Sequence, residues 1–310
     1  MSPLEARYRR LLRLYPADYR AERGEEMVGT YLQMVRNGQR WPRAADVADL
    51  VAGSLRQRVR AAGPAFAGGR HAAAVLALAT AGALAAIWLL YVELTGERHF
   101  GPFRGLGGLV WLAWLAAAVL PVASSGRAHR WTVAGALAAT VAVVPVSALV
   151  PVDRPALMEL LPQFALGVVA LGLDGRGTRA NPAVPAVATS VTAAVLLLFC
   201  LPYSPLPAGF GVSYGYRAEV HSVAPAAGAL LAAAGLACAA LLRARGLWAL
   251  TLLATPVALC FVEPVARRIS GKRPWNPADF DDLVLASVGL TGVAVVVVLG
   301  LQVAARRASA

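Results

Sequence analysis

From residue 72 to the last residues, the chain is a relay of apolar stretches separated by short polar hinges that carry arginine. A bilayer's hydrocarbon core is about 30 Å thick and a helix rises about 1.5 Å per residue, so runs of about 20 apolar residues are read as spans. Eight segments qualify: residues 72–92, 105–123, 131–150, 156–173, 183–201, 223–242, 247–262 and 283–303. The expected fold class is all-α, a polytopic membrane helix bundle of about eight transmembrane helices over residues 71–310. Ahead of it, residues 1–70 read as a small three-helix cytoplasmic head.

Composition supports the membrane reading. Hydrophobic residues make up 58% and charged residues 15% of the 310, which is apolar beyond ordinary soluble domains. The net charge of +12 rests almost wholly on arginine, since Lys272 is the only lysine. Thirteen of the 29 basic residues lie between Arg7 and Arg70, and most others sit at the ends of apolar runs, where anionic headgroups meet them. That placement argues for lipid contact and against direct nucleic-acid binding. Cys200, Cys238 and Cys260 each fall inside an apolar run and read as small buried hydrophobes, not as a disulfide framework. The arginine-, alanine- and glycine-rich bias suggests a GC-rich coding sequence and hence a bacterial inner membrane. Because the opening residues are polar and amphipathic, the first membrane helix is expected to serve as an uncleaved insertion signal.

An even number of spans places both termini on one side. The positive-inside rule makes that side the cytoplasm, together with Arg127/Arg130, Arg176/Arg179, Arg243/Arg245 and Arg306/Arg307. Arg267, Arg268, Lys272 and Arg273 then fall in a loop on the opposite side, beside Asp279, Asp281 and Asp282. Pro256 and Pro264 flank the seventh segment; if it is re-entrant, the C-terminus changes sides. Pro145, Pro162 and Pro185 are expected to kink their helices without breaking them. Trp88, Tyr91, Trp131 and Trp248 fit interfacial aromatic belts, and Ala224, Gly228 and Ala232 mark a face for close helix approach.

In the head, Ser2-Pro3-Leu4-Glu5 spells a capping box with proline at the first helical position. Leu4, Tyr8, Leu11, Leu12 and Tyr15 form the first helix's apolar stripe, which Pro16 closes. A second helix over 17–36 turns Tyr19, Met27, Val28, Tyr31, Leu32 and Val35 inward and stops at Asn37-Gly38. Pro42 opens a third, with Val47, Leu50, Val51, Leu55 and Val59 inward. Arg9, Arg10, Arg13, Arg20, Arg23, Arg56, Arg58 and Arg60 occupy outer faces, either as a lipid-facing surface or as a docking surface for a protein.

The run Tyr8-Arg9-Arg10-Leu11-Leu12-Arg13-Leu14-Tyr15-Pro16, then Tyr19-Arg20 and Glu22-Arg23-Gly24-Glu25-Glu26-Met27, resembles the small helical HAAS domain and the related permease-prefix domains. The likeness covers residues 4–60, a fifth of the chain. In that family a cytoplasmic helical module precedes membrane segments and is often associated with PadR-type transcription regulators. The resemblance therefore implies a signalling or effector-coupling module and carries no catalytic residues.

Ionisable groups inside a membrane are costly, so they are the first suspects for function. Glu159 lies one turn into the fourth segment; Glu93 and Glu263 end the first and seventh. Each reads as an interfacial carboxylate that reaches water or a nearby arginine, or the three together as the lining of an outward cavity for a cation or proton. The longest loop, with Tyr214, Tyr216, Arg217, Glu219 and His221, reads as a cap over helix ends or as a lid for an external ligand. His71, His99, His129 and His221 have no metal-ligand spacing, and neither a nucleophile elbow nor a phosphate loop occurs. No cofactor, metal or enzymatic activity is expected. The reading is a membrane protein whose head couples it to a signalling or regulatory partner, with a transporter or permease-like subunit for a small or lipidic solute as the alternative.

Overall fold

Ser2 opens the first helix as its capping box requires: the Glu5 N–H donates to Ser2 Oγ at 3.1 Å, and the Ser2 N–H donates to Glu5 Oε2 at 3.3 Å. The computed structural model describes residues 2–35, 39, 41–93, 105–120, 126–149, 154–172, 183–200, 220–271 and 280–307. Among these the regular structure is entirely helical, with no strand. The chain divides into two compact units, Met1–Ala67 and Gly68–Ala310.

The first unit holds α1 (Pro3–Leu12), α2 (Ala17–Gln33) and the beginning of α3 (Ala44–Ile87). Its core is Leu4, Tyr8, Leu12, Tyr15, Val28 and Leu50, flanked by Leu11, Tyr19, Met27, Tyr31, Leu32 and Val35. The stripes of α1 and α2 thus face inward as their one-turn spacing predicts. The stripe of α3 does so in part: Leu50 is fully buried and Val47 half-buried, but Val51 is exposed, and the buried line runs Leu50, Ser54 and Arg58, spaced four apart. Arg58 is not on an outer face: its Nε donates to the carbonyl of Leu14, just beyond α1. Helix ends leave carbonyls without intrahelical donors, and a long arginine can bury its stem to reach one. The side chains of Leu55 and Val59 lie outside the described residues.

Within this unit α3 is interrupted at Gly63, whose φ of 43° and ψ of −115° suit glycine, directly before Pro64. The sequence reading began the first span at residue 72; the break in the helical backbone lies at Gly63.

In the second unit α3 ends in a π-helical turn, Trp88–Glu93. There follow α4 (Gly107–Val119), α5 (Gly126–Leu149), α6 (Leu157–Ala170), α7 (Ala183–Val195), α8 (Val220–Leu242), α9 (Ala244–Leu259), α10 (Val262–Ser270) and α11 (Phe280–Arg307). The apolar part of α3 forms the middle of the core. Ala73, Ala77, Ala81 and Ala85 are small enough to admit neighbours closely, while Leu78, Leu84 and Trp88 fill space against Trp111, Trp114, Val133 and Leu166. Trp88 is therefore a core residue, stacked at a tilt on Trp111 with centroids 6.3 Å apart, and not part of an interfacial belt. Trp131, 77% exposed, remains free to lie at an interface.

Among the described residues, four helical segments are long and apolar enough to cross a membrane: Gly63–Leu90, His129–Leu149, Val223–Leu242 and Phe280–Val298. A fifth is possible if Ala244–Leu259 and Val262–Ser270, bent by 44°, act as one. Gly107–Val119, Leu157–Ala170 and Ala183–Leu198 are apolar but shorter. Arg267 and Arg268, expected in a loop, belong to α10. The turn between α8 and α9 is a single residue, Arg243, at φ 49°. Gly246 makes so tight a hairpin possible, since a Cβ there would sit 1.8 Å from the carbonyl oxygen of Cys238. Gly228, the centre of the small-residue face, likewise lies where a Cβ would come within 2.6 Å of Cys260 Cβ.

Candidate functional site

In the head, polar chemistry begins with two tyrosines. Tyr8 on α1 donates its hydroxyl to Asp46 Oδ2 at 2.7 Å, and Tyr31 on α2 donates to Asp49 Oδ2 at 2.7 Å. Asp46 and Asp49 are three residues apart on the first turns of α3, hence on neighbouring positions of one face. The two rings stack, with centroids 5.3 Å apart. A second stack joins Tyr15 and Tyr19 at 5.4 Å. Burial first, then the hydrogen bond and charge of Asp46, pushes the Tyr8 hydroxyl up to about 12. The same causes, with Asp49 as partner, raise Tyr31.

This clasp borders an open groove of about 480 Å³ lined by Tyr19, Met27, Tyr31 and Met34 with Arg23, Glu26, Asp46 and Asp49. Of the basic residues singled out in sequence, Arg9 is engaged internally. It donates through Nε to Glu5 Oε1 at 3.0 Å and through Nη2 to Glu25 Oε2 at 2.7 Å, and that guanidinium holds Glu25 below the usual carboxylate range. Arg10, Arg13 and Arg23 are exposed and Arg20 is partly buried; only Arg23 of the five lines the groove. Arg7, not singled out, stacks 3.4 Å above the ring of Trp41.

In the second unit the three suspected carboxylates separate into two situations. Glu263 forms an ion pair with Arg267 one turn along α10. Among the described residues Glu93 and Glu159 have no such ion pair, and both are buried. Glu159 accepts the Ala156 N–H on Oε2 at 3.1 Å, as a carboxylate in a first helical turn does, but its Oε1 is buried without a hydrogen bond among the described residues. Glu93 Oε1 is in the same state.

Gln163 is a further buried polar side chain of α6 and was missed. It follows Glu159 by one turn on α6, is fully buried, and donates Nε2 to the carbonyl of Ala81 on α3 at 3.0 Å, leaving Oε1 unpartnered. Its spacing from Glu159 was visible in the sequence, but attention to ionisable residues alone passed over an amide. Trp114 Nε1 donates to Thr140 Oγ1 at 2.9 Å, and that hydroxyl donates to the Ala136 carbonyl at 2.8 Å, so this buried pair is satisfied.

Tyr214, Tyr216, Arg217 and Glu219 lie outside the described residues; His221 is in the first turn of α8, its side chain likewise outside them. Among the described residues no three of His, Cys, Asp and Glu converge as metal ligands. Comparison of the chain with family models, with curated proteins and with solved structures found no match.

Proposed function

We propose that the chain is a non-enzymatic multi-pass protein of a bacterial inner membrane whose first unit couples it to a cytoplasmic regulatory protein. The observation that carries this reading is the groove of the head, with its tyrosine and methionine floor between charged walls. Methionine adapts to the shape of a partner, and tyrosine offers a rigid surface with a polar tip. The likeness of residues 4–60 to the HAAS and permease-prefix domains suggests the kind of partner, a PadR-type regulator. With Arg9 committed to Glu5 and Glu25, the exposed Arg10, Arg13 and Arg23 are the cations left to meet it or lipid headgroups. Eight crossings follow if the four long helices, the bent α9–α10 pair and the three shorter apolar helices, extended by their apolar flanks, all span. Both termini are then cytoplasmic.

Full-length protein in nanodiscs, carrying a photocrosslinker at the exposed Met34, tests the coupling. The expected product is a crosslink to one regulatory protein, lost on Arg23→Glu. Crosslinks to phospholipid alone, or to the same proteins in both forms, would count against it.

A second reading, a transporter or permease-like subunit, is favoured by the two buried carboxylates that lack a countercharge. It requires Glu93→Gln together with Glu159→Gln to abolish solute flux in proteoliposomes.

A further inference from the structure

We propose that the groove of the head is part of a longer trough between α2 and α3, acidic at one end and basic at the other. Its occupant is an amphipathic helix of a protein partner, with a cation and a carboxylate about three turns apart on the bound face. The inference rests on the coupling reading above and specifies the chemistry of that partner.

The trough is read from two adjoining hollows. Beside the groove lies a second of about 220 Å³, and the two share Tyr19, Met27, Tyr31 and Asp49. On α3 they take Asp46, Asp49, Gly53, Arg56 and Arg60, positions three or four apart and therefore on one helix face. On α2 they take Tyr19, Arg23, Met27, Tyr31 and Met34, again at one-turn spacing. One shared floor thus serves both hollows.

Charge along this trough is sorted. Asp46 and Asp49, with Glu26 of α2, line the first hollow, where Arg23 is the single cation. Arg56 and Arg60 line the second. Like charges are neighbours on α3, so neither pair is neutralised along its own helix. Among the described residues Glu26, Arg56 and Arg60 form no ion pair within the chain, in contrast to Arg9 with its two glutamates. The order also suits the helix dipole of the segment before Gly63, so the fold holds it at little cost.

Hydrogen bonding narrows the occupant further. Asp46 and Asp49 accept the Tyr8 and Tyr31 hydroxyls through Oδ2, and Thr30 donates its hydroxyl to the Glu26 carbonyl at 2.9 Å. Those hydrogens are spent, and the carboxylates have acceptor capacity left over. A guanidinium, which is donor-only and planar, matches these oxygens and the neighbouring tyrosine faces. Arg56 and Arg60 offer the converse, donors without acceptors, and so call for a carboxylate.

Length selects a helix. Asp46 to Arg56 is ten residues and Asp49 to Arg60 is eleven, about 16 Å along α3. A partner helix returns to the same face after about three turns, which is that distance. A lipid headgroup or a free ion would occupy one end only and leave the Tyr19, Met27 and Tyr31 floor uncovered.

The test uses full-length protein in nanodiscs of zwitterionic phospholipid and three fluorescent alanine helices of about 20 residues with a leucine stripe. One carries arginine and glutamate about three turns apart beside the stripe, one arginine at both places, and one glutamate at both. Anisotropy, with empty nanodiscs as the blank, is expected to show the mixed peptide binding about tenfold more tightly than either single-sign peptide. Arg56→Glu with Arg60→Glu, at two exposed positions, should make the trough acidic throughout and the all-arginine peptide the tightest. Misfolding cannot produce that gain. Binding of none of the peptides, equal binding of all three, or an unchanged order in the double variant would each overturn the inference. A regulator crosslinked at Met34 despite such a result leaves the coupling reading standing, whereas absence of any protein crosslink removes that reading instead.

Discussion

Gly246→Ala should be among the most damaging single-methyl additions in the second unit. The added Cβ would lie 1.8 Å from the Cys238 carbonyl oxygen, 2.3 Å from its carbon and 2.6 Å from Ala239 Cα, all of them backbone atoms. No rotamer change relieves such an overlap. Ordinary contact begins near 3.4 Å, so α8 and α9 would have to separate by about 1.6 Å. A one-residue turn at Arg243 gives the hairpin little slack, and Leu253 on α9 and Leu231 on α8 belong to the core that would open. Overpacking costs typically 1–3 kcal/mol; with immovable backbone on the far side we expect about 3 kcal/mol.

The same substitution elsewhere should act in the opposite direction. Gly289 and Gly300 on α11 have nothing within 4 Å of an added Cβ, so replacing either by alanine removes only glycine's entropic cost in a helix, a gain of about 0.5–1 kcal/mol. Equilibrium unfolding in mixed micelles, followed by tryptophan fluorescence, compares all three against the parent. Loss of stability at Gly246 with gain at Gly289 and Gly300 is the expected result. A Gly246→Ala protein within about 0.5 kcal/mol of the parent, the range of an indifferent surface change, would refute the α8–α9 packing described here.

Three further outcomes follow from local geometry. Arg243→Gly should stabilise the same hairpin by about 1 kcal/mol, because φ 49° is strained for a residue with a Cβ; the same unfolding assay reads it. Ser2→Ala should cost the head about 1 kcal/mol through loss of the cap, seen as faster amide exchange in α1 of the full-length protein. Tyr8→Phe should cost about 1 kcal/mol by removing the hydrogen bond to Asp46, and most of that cost should vanish in an Asp46→Ala background. The folded Tyr8 hydroxyl is raised from 10.0 to about 12, so its contribution is complete below pH 10 and is lost as pH climbs through about 12. Tyrosinate absorbance during alkaline titration should show late ionisation, with an amplitude smaller by one tyrosine in Tyr8→Phe because Tyr31 is also raised.

The parts of the fold that were legible rest on local rules. A capping box needs residues three apart, and the stripes of α1 and α2 need only one-turn spacing, so both could be read before any contact was known. Arg58 could not. Nothing in its neighbours distinguishes it from Arg56 and Arg60; only the position of the Leu14 carbonyl, 44 residues away in sequence, turns it inward. Trp88 shows the same limit, since an indole near the end of an apolar run fits a membrane interface as well as it fits a socket against Trp111. Among the candidate site residues, the partition of Glu93 and Glu159 from Glu263 was hidden because it depends on which helices meet. Glu263 carried its partner Arg267 four residues on, and that pairing was open to inspection.

The two units place their acids under opposite physical rules, and function divides along that line. In the head, Asp46 and Asp49 each accept a tyrosine hydroxyl, while Glu5 and Glu25 share Arg9 at the surface. Water screens whatever charge remains, so these acids serve to join three short helices around a core too small to be generous. In the second unit Glu93 and Glu159 are buried, and a carboxylate left unmatched there weakens the structure that contains it. Evolution can delete such a group with one substitution to glutamine, which would keep the Ala156 cap and lose the penalty. Glu93 and Glu159 are therefore the two residues on which the transport reading should first be tested.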